Sequence, residues 1–204
     1  MEEPSVYYVI WEQFKLTSWW EWISTISQVI SVFYAQRNNV LVYPSGIVGV
    51  IIAAYLYFFV ASPPLYAEGS VHLYYFGMSC YGWYLWVQKD KLTVYVYPIS
   101  WAKKKEIIVA LILCSISFLL LFVWLEYFTN SNTSLLDSFV SATAITAMWM
   151  MAKRKIENWL FWMASNIVAI PLHVYKGFYL FALMFFLFLL MAVYGYFKWK
   201  RELR

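Results

Sequence analysis

The stretch IIVALILCSISFLLLFVWLEYF, residues 107–128, decides the fold class of this chain. Its side chains are almost all apolar, and its one charged residue, Glu126, lies close to its end. A helix needs about 20 such residues to cross the hydrocarbon core of a bilayer. The stretch therefore predicts a transmembrane helix, and lipid becomes the expected solvent for the rest of the chain.

The composition of the whole chain agrees with this expectation. Of the 204 residues, 63% are hydrophobic and 13% are charged, whereas a soluble domain is about half apolar and about one quarter charged. The two cysteines, Cys80 and Cys114, lie in separate apolar stretches and give neither a disulfide framework nor a metal-binding spacing. The acidic start MEEPS predicts no cleavable signal peptide. We therefore expect an all-α integral membrane protein without a metal site.

Seven apolar stretches of the chain are predicted to be membrane-spanning helices. They cover residues 19–34, 43–61, 71–87, 107–128, 135–152, 159–175 and 178–197. The first and the sixth are short and are interrupted by polar residues. Residues 1–18, in front of the first stretch, are expected to form a short segment at the membrane interface.

The distribution of basic residues predicts the orientation of these helices, because Lys and Arg concentrate on the cytoplasmic loops of membrane proteins. With the seven spans above, Lys15 and Lys176 fall on one side and the other 13 basic residues on the opposite side. The more basic side carries Arg37, Lys89, Lys91, Lys103, Lys104, Lys105, Lys153, Arg154, Lys155, Lys198, Lys200, Arg201 and Arg204. We therefore predict that the amino terminus lies outside and the carboxyl terminus in the cytoplasm.

The chain also contains an internal repeat. The third span ends in YGWYLW, residues 81–86, and the seventh in YGYFKW, residues 194–199, and lysines follow both. Upstream, AQR at 35–37 resembles AKR at 152–154. Two three-helix repeats, 19–87 and 135–204, are parallel if the segment 88–134 between them adds one crossing helix. This 3+1+3 plan is one of the known repeat plans of transporters, with the substrate near the midplane between the repeats.

Charged residues inside the membrane would indicate a proton or ion pathway. Here Glu21, Glu126, Asp137, His72 and His173 all fall near the predicted outer ends of their spans. This placement argues against an ion-coupled pump, and it gives no grouping of catalytic residues for a membrane hydrolase. A coupled transporter, an enzyme acting on a lipid or prenyl group, and a structural subunit stay as alternatives to an uncoupled transporter.

Uncharged polar residues of the first span share one helical face. Ser24, Ser27, Gln28 and Ser31 follow the spacing i, i+3, i+4 and i+7. Polar groups in hydrocarbon must face protein or a wet cavity. Gln28, near the middle of the span, is the best candidate on this face for lining a site. The alternative is a hydrogen bond between helices, which is common in membrane bundles.

The start of the sixth span, NWLFWMASN at residues 158–166, is unusual for a membrane anchor. Trp159, Trp162 and Asn166 share an arc of about 60° on a helix and extend over about 10 Å along it. An aromatic belt at the interface explains Trp159. It does not explain Asn166, because a buried amide requires a partner. An indole face beside an amide is suited to a flat or cationic ligand.

These motifs resemble those of the PnuC-type bacterial vitamin transporters. The resemblance extends from about residue 20 to residue 199 and rests on NNVLVYPSGIV at 38–48, YGWYLW at 81–86, ENWLFWMASN at 157–166 and IPLHVYKGFYLFALMF at 170–185. It implies facilitated diffusion of nicotinamide riboside by alternating access, with a cytoplasmic kinase that traps the vitamin by phosphorylation. It also implies a fold similar to that of the SWEET sugar transporters and a homotrimer in the bacterial inner membrane. Enzymatic activity, a cofactor and a nucleic-acid partner are not expected.

The resemblance also assigns substrate-binding residues. The Trp-x-x-Trp pair, Trp159 and Trp162, is expected to stack on the vitamin ring, and Asn166 with Gln28 to form hydrogen bonds with it. Ser79 and Tyr55 are further candidates for such bonds. Ser79 departs from the amide that relatives often carry before YGWYLW, and the short amino terminus is similar to that of thiamine-transporting members. Thiamine therefore stays the alternative substrate, with riboflavin less favoured.

Overall fold

A computed structural model of the chain describes residues 5–89 and 95–203, which form eight α-helices. The helices are α1 (Val6–Leu16), α2 (Trp19–Gln36), α3 (Val42–Tyr55), α4 (Tyr66–Val87), α5 (Lys104–Phe128), α6 (Ser134–Ala152), α7 (Asn158–Tyr175) and α8 (Tyr179–Glu202). A π-helical turn, Leu56–Val60, continues α3. Each predicted span overlaps one of the helices α2 to α8, and the all-α fold class is confirmed. The basic residues Lys91 and Arg204 lie outside the described residues.

Four helices are long and apolar enough to cross a membrane by length and composition, namely α3 with its π-helical turn, α5, α6 and α8. The exterior of the bundle is correspondingly apolar. On α5, only Ala110 and Leu125 are buried, and most of its large apolar side chains are exposed. Such a surface is compatible with lipid and is unusual for a soluble monomer.

The helices pack as two sets of three. Within each set neighbouring helices run along each other, α2 with α3 and α3 with α4 in the first set, and α6 with α7 and α7 with α8 in the second. Between the sets, α4 packs on α6 and α2 packs on α8. The third helix of each set therefore contacts the first helix of the other. The helix α5 packs mainly on α6, and the short α1 packs on α8.

Two tryptophans join the sets at one end of the bundle. We call it the basic end, because the carboxyl ends of α2, α4, α6 and α8 lie there with most of the basic residues. The Nε1–H of Trp86 donates to the carbonyl of Ala152 at 3.1 Å, and the Nε1–H of Trp199 donates to that of Ala35 at 3.0 Å. Each indole of one set thus binds the last turn of the first helix of the other.

A glycine makes room for a ring beside each tryptophan. A Cβ added to Gly82 would collide with the ring of Tyr43, and one added to Gly195 would lie 2.6 Å from the ring of Trp159. Edge-to-face pairs complete both arrangements. The rings of Tyr43 and Trp86 are 5.1 Å apart, and those of Trp159 and Trp199 are 5.4 Å apart. The two Tyr-Gly-x-x-x-Trp motifs therefore have the same packing role.

The turns after α2 and α6 are alike as well. Asn38 and Arg154 have positive φ angles of 50° and 52°. Each donates its amide to the carbonyl three residues earlier, Asn38 to Ala35 at 3.0 Å and Arg154 to Met151 at 2.9 Å. This register pairs Ala35 with Met151, one residue away from the pairing of AQR with AKR that the sequence suggested.

Ion pairs and hydrogen bonds order the opposite end of the bundle. Lys176 after α7 binds Asp137 of α6 at 2.7 Å. Gln13 fixes α1, because its amide donates to the carbonyl of Gly177 at 2.6 Å and accepts from the amide of Leu180 at 3.0 Å. The predicted interfacial segment 1–18 therefore contains a helix held against the start of α8. Its first four residues lie outside the described chain.

The packing at Gly195 predicts a stability difference. Gly195→Ala should lower the melting temperature in detergent by about 5 °C, because overpacking costs about 1–3 kcal/mol. Gly77→Ala is the matched control, since a Cβ at Gly77 would meet no atom within 4 Å. Thermal unfolding of the two purified variants measures the difference. Equal melting temperatures would contradict the close contact with Trp159.

Candidate functional site

The face of α7 that carries Trp159, Trp162 and Asn166 meets two different helices. Trp159 packs against α8 at the basic end, through Gly195 and Trp199. Trp162, one turn further along α7, lies against α4. The three residues share one face, as the sequence predicted, but their surroundings differ.

Trp159 is enclosed by protein. It is 1% exposed and belongs to the same cluster of buried residues as Tyr43, Trp86 and Trp199. Its indole nitrogen has no hydrogen-bond partner among the described residues. In this conformation Trp159 forms part of the packed floor at the basic end rather than an open stacking surface.

Trp162 faces an aromatic residue of the other helix set. Its ring lies 6.4 Å from that of Tyr75, at an interplanar angle of 54°, and both side chains are half-buried. A flat ligand stacked between two rings needs about 7 Å between them, since each stacking contact takes about 3.5 Å. If the two rings moved apart by less than about 1 Å and rotated to become parallel, a planar ligand ring would fit between them. The neighbouring Tyr74 holds α4 to α6 by donating to the carbonyl of Ile145 at 3.0 Å.

Two polar side chains lie near this aromatic pair. Asn166, one turn beyond Trp162, is 3% exposed, and its amide makes no hydrogen bond within residues 5–89 and 95–203. Ser79 is buried one turn after Tyr75 on α4, on the face that continues to Gly82 and Trp86. The side-chain oxygen and nitrogen of Asn166 are not among the fully buried atoms that lack a partner, so they keep some accessible surface and can form hydrogen bonds with a ligand.

The serine face of α2 serves mainly to join helices. Ser24 donates to the carbonyl of Gly49 at 2.8 Å, and Ser31 donates to that of Val42 at 2.7 Å. Gln28 donates to Ser24 at 3.2 Å and packs on Gly49, where an added Cβ would lie 2.9 Å from its Cγ. Gln28 is therefore half-buried between α2 and α3.

Tyr55 lies apart from the other predicted site residues. Its side chain is 57% exposed on the surface of the bundle, and its ring contacts Phe59 at 5.6 Å. The structure thus brings Trp162 and Tyr75 into one region with Asn166, and it does not bring Tyr55 to them.

Sequence reasoning missed Tyr75, although a signal for it exists. Gly82 and Trp86 of the motif lie on one face of α4. Ser79 and Tyr75 lie on the same face, one and two turns closer to the start of the helix. Since YGWYLW marks the face that meets the other helix set, its continuation predicts which residues approach α7.

A deeply buried cation, Arg154, lies at the basic end. Arg154 is 1% exposed, donates to the carbonyl of Tyr97 at 2.7 Å, and lies over the ring of Trp86 at 4.2 Å. Burial lowers the pKa of its guanidinium, and the nearby Tyr43 and Tyr95 act in the opposite direction. An arginine keeps its charge when it is buried. The bond from its guanidinium to the carbonyl of Tyr97 therefore fixes the loop before α7 to the segment before α5.

Within the described ranges, no group of three His, Cys, Asp or Glu side chains is placed to hold a metal ion.

The sequence model of the nicotinamide mononucleotide transporter family matches residues 18–201. The chain belongs to this family. The resemblance seen in the motifs is thereby confirmed, and the chain is a multi-pass bacterial membrane protein of a transporter family.

Three named relatives are similar to this chain over more than half of their length. The nicotinamide riboside transporter PnuC of Escherichia coli strain K12 is 22% identical over 211 residues, which cover 92% of this chain and 87% of the relative. The Haemophilus influenzae protein of the same name is 28% identical over 187 residues, covering 90% and 80%. The riboflavin/roseoflavin transporter RibM of Streptomyces davaonensis is 25% identical over 126 residues, covering 60% of this chain and 58% of the relative.

A solved structure shares the fold. The crystal structure of the vitamin B3 transporter PnuC superimposes with a TM-score of 0.72 at 20% sequence identity, covering 96% of this chain and 88% of that chain. The arrangement of helices is therefore that of a known transporter structure.

The burial of Trp159 predicts a structural role that can be measured. Trp159→Ala should lower the melting temperature in detergent by about 10 °C, because removing a buried tryptophan costs about 3–5 kcal/mol. Trp83→Ala, at a position that is 40% exposed on α4, is the control and should change it little. A similar loss in both variants would show that Trp159 is not part of the packed floor.

Proposed function

We propose that the protein is a uniporter for a B vitamin, with nicotinamide riboside as the substrate, and that it works by facilitated diffusion. The observation that carries the proposal is the tilted pair of Trp162 and Tyr75, which lies between the two helix sets beside the unbonded amide of Asn166. The names of the relatives that cover most of the chain support the same substrate.

The proposed site suits the chemistry of this vitamin. The pyridinium ring of nicotinamide riboside is flat and carries a positive charge. Between desolvated aromatic faces such a cation gains about 2 kcal/mol or more. Asn166 would bind the carboxamide or a ribose hydroxyl, and Ser79 would add a second hydroxyl from α4. Thiamine shares the cationic ring and stays the alternative, whereas the relatives that cover most of the chain are named for nicotinamide riboside.

Seven membrane crossings in a 3+1+3 plan are part of the proposal. Support comes from the reciprocal contacts of α4 with α6 and of α2 with α8, and from the matched turns at Asn38 and Arg154. A further support is a hydrogen bond between the first two helices of each set. In the register of the matched turns, Ser24 corresponds to Val140 and Gly49 to Ser165. Ser24 of α2 donates to the carbonyl of Gly49 on α3, whereas in the second set Ser165 of α7 donates to the carbonyl of Val140 on α6 at 2.9 Å.

The proposed site lies where the two sets differ. In the register of the matched turns, Trp162 and Asn166 of α7 correspond to Gly46 and Val50 of α3. In the register of the two motif glycines, Tyr75 corresponds to Phe188. Trp162 and Asn166 therefore have no counterpart of similar size or polarity in the first set, whereas Tyr75 differs from Phe188 only by its hydroxyl. A residue that occurs in one set only is expected where it is retained for a ligand rather than for packing.

The transport step would be a rocking of one set against the other. The indole bonds of Trp86 and Trp199 hold the basic end closed in the conformation described. Opening that end would break both bonds and separate the rings of Trp86 and Trp199, which lie 6.1 Å apart across the two sets. The vitamin at Trp162 would then be exposed to the side of the membrane at which the basic end lies.

The orientation and assembly complete the proposal. The basic end would face the cytoplasm, with the amino terminus outside, where Lys15 and Lys176 are each paired with an acid. A cytoplasmic kinase would trap the imported vitamin by phosphorylation. A homotrimer would follow the resemblance to the family, and the exposed apolar side chains of α5 leave a surface for it. No catalytic role or cofactor is proposed.

Trp162→Ala tests the proposed site. It should abolish saturable binding of nicotinamide riboside, because the larger of the two stacking faces is lost. Since Trp162 is only half-buried, the melting temperature should fall much less than in Trp159→Ala. Isothermal titration calorimetry on the purified proteins measures the affinity.

Two further proteins make the result specific. Asn166→Leu should weaken binding about tenfold while keeping the fold, because it removes a polar group that has no partner among the described residues. Trp83→Ala, on the exposed face of α4, should bind as the wild type does. An unchanged affinity in Trp162→Ala would refute the assignment of the site.

A further inference from the structure

Three aromatic rings continue from Trp162 toward the end opposite the basic end. Tyr75 is followed by His72, at a ring separation of 5.6 Å, and His72 by Tyr57, at 5.1 Å. His72 and Tyr75 lie on α4, and Tyr57 belongs to the π-helical turn after α3. We call Tyr57, His72 and Tyr75 the outer aromatic track. It connects the outer end of the first helix set to the proposed site.

The histidine of the track has a defined proton position. Its Nδ1 lies 2.9 Å from the backbone carbonyl of Glu68. A carbonyl only accepts hydrogen bonds, so Nδ1 carries the proton and Nε2 of the neutral ring is an acceptor. Within the described residues, Nε2 has no hydrogen-bond donor. The track therefore offers one acceptor to a hydroxyl or an amide of a passing ligand.

Negative charge is located beside the outer part of the track. Glu68 lies one helical turn before His72 on α4, and its charge and that of Glu21 act on Tyr57. Neither carboxylate forms a salt bridge within the part of the chain that the structure describes. At the corresponding end of the second set, Asp137 is neutralised by Lys176. The first set therefore attracts a cation at this end more strongly than the second.

Packing alone gives a weak explanation of the track. The π-helical turn already contacts α4 through Phe58. Its ring packs so closely on Gly69 that a Cβ added to this glycine would lie 2.8 Å from the ring. Tyr57 is thus not required to fill that contact. In addition, a tyrosine and a histidine bring polar atoms where phenylalanine or leucine would pack as well in hydrocarbon.

We propose that Tyr57, His72 and Tyr75 form an outer binding subsite for a flat cationic vitamin, occupied before the vitamin reaches Trp162. The proposal rests on the proposed function. The ring faces bind the cationic ring, Nε2 of His72 accepts from a hydroxyl or amide, and Glu21 and Glu68 raise the local concentration of the cation. The subsite determines how readily the transporter loads from outside.

Uptake of radiolabelled nicotinamide riboside into right-side-out membrane vesicles tests the subsite. His72→Ala should raise the KM for uptake about tenfold and leave Vmax within about twofold, because it weakens loading without altering Trp162. Tyr57→Leu should act in the same direction, and Tyr57→Phe should raise KM less, since it keeps the ring. If His72→Ala folds poorly, the difference in KM between Tyr57→Leu and Tyr57→Phe still tests the subsite.

The matched control is His173→Ala. His173 makes the same local bond, from Nδ1 to the carbonyl of Ala169 at 2.8 Å, and also has an aromatic neighbour, Phe185, at 4.7 Å. It lies outside the track, so its variant should keep the wild-type KM. A fall in Vmax at constant KM in His72→Ala, or an equal effect of His173→Ala, would overturn the subsite and leave the proposed function intact. A wild-type protein without saturable uptake would overturn both.

Discussion

The fold depends on two indole hydrogen bonds that cross between its halves. The carbonyls in the last turn of a helix have no partner within that helix, and in a membrane protein an unsatisfied carbonyl is costly. Trp86 supplies a donor to the Ala152 carbonyl at the end of α6, and Trp199 supplies a second donor to the Ala35 carbonyl at the end of α2, which also accepts from the amide of Asn38. Each half therefore completes a helix of the other, which explains why tryptophan, a ring with one donor at its edge, occurs at both positions.

This shared arrangement leaves the middle of the bundle available for differences between the halves. Gly82 and Gly195 let rings approach closely at the basic end, and both halves use the same geometry there. One turn further into the bundle the equivalence ends, because Trp162 has only a glycine, Gly46, as its counterpart. In the proposed 3+1+3 plan, the matched ends would let the two sets move as units, and the unmatched Trp162 would let the region between them bind an asymmetric small molecule.

The sequence predicted the helices well and the neighbours of individual side chains less well. Apolar stretches located α2 to α8, and four of these helices, α3 with its π-helical turn, α5, α6 and α8, have the length and composition of a crossing helix. The arc that groups Trp159 with Trp162 was also correct, but a helical wheel does not indicate which helix a face meets. One turn of α7 is enough to move the contact from α8 to α4. For the same reason Gln28 and Tyr55 could be placed on helices, but not relative to Trp162.

The basic end combines tight packing with unsatisfied polar atoms. In the part of the chain that the structure describes, five buried side-chain atoms lack a hydrogen-bond partner, on Asn38, Tyr43, Arg154, Asn158 and Trp159. All five residues lie at this end. A buried polar atom without a partner costs about 1–3 kcal/mol, and water would supply partners if the end opened. The aromatic packing that favours the closed end is thus opposed by a desolvation cost that opening relieves. In the uniporter proposed above, this cost would bring the free energies of the closed and open conformations closer together, as a carrier without an ion gradient requires.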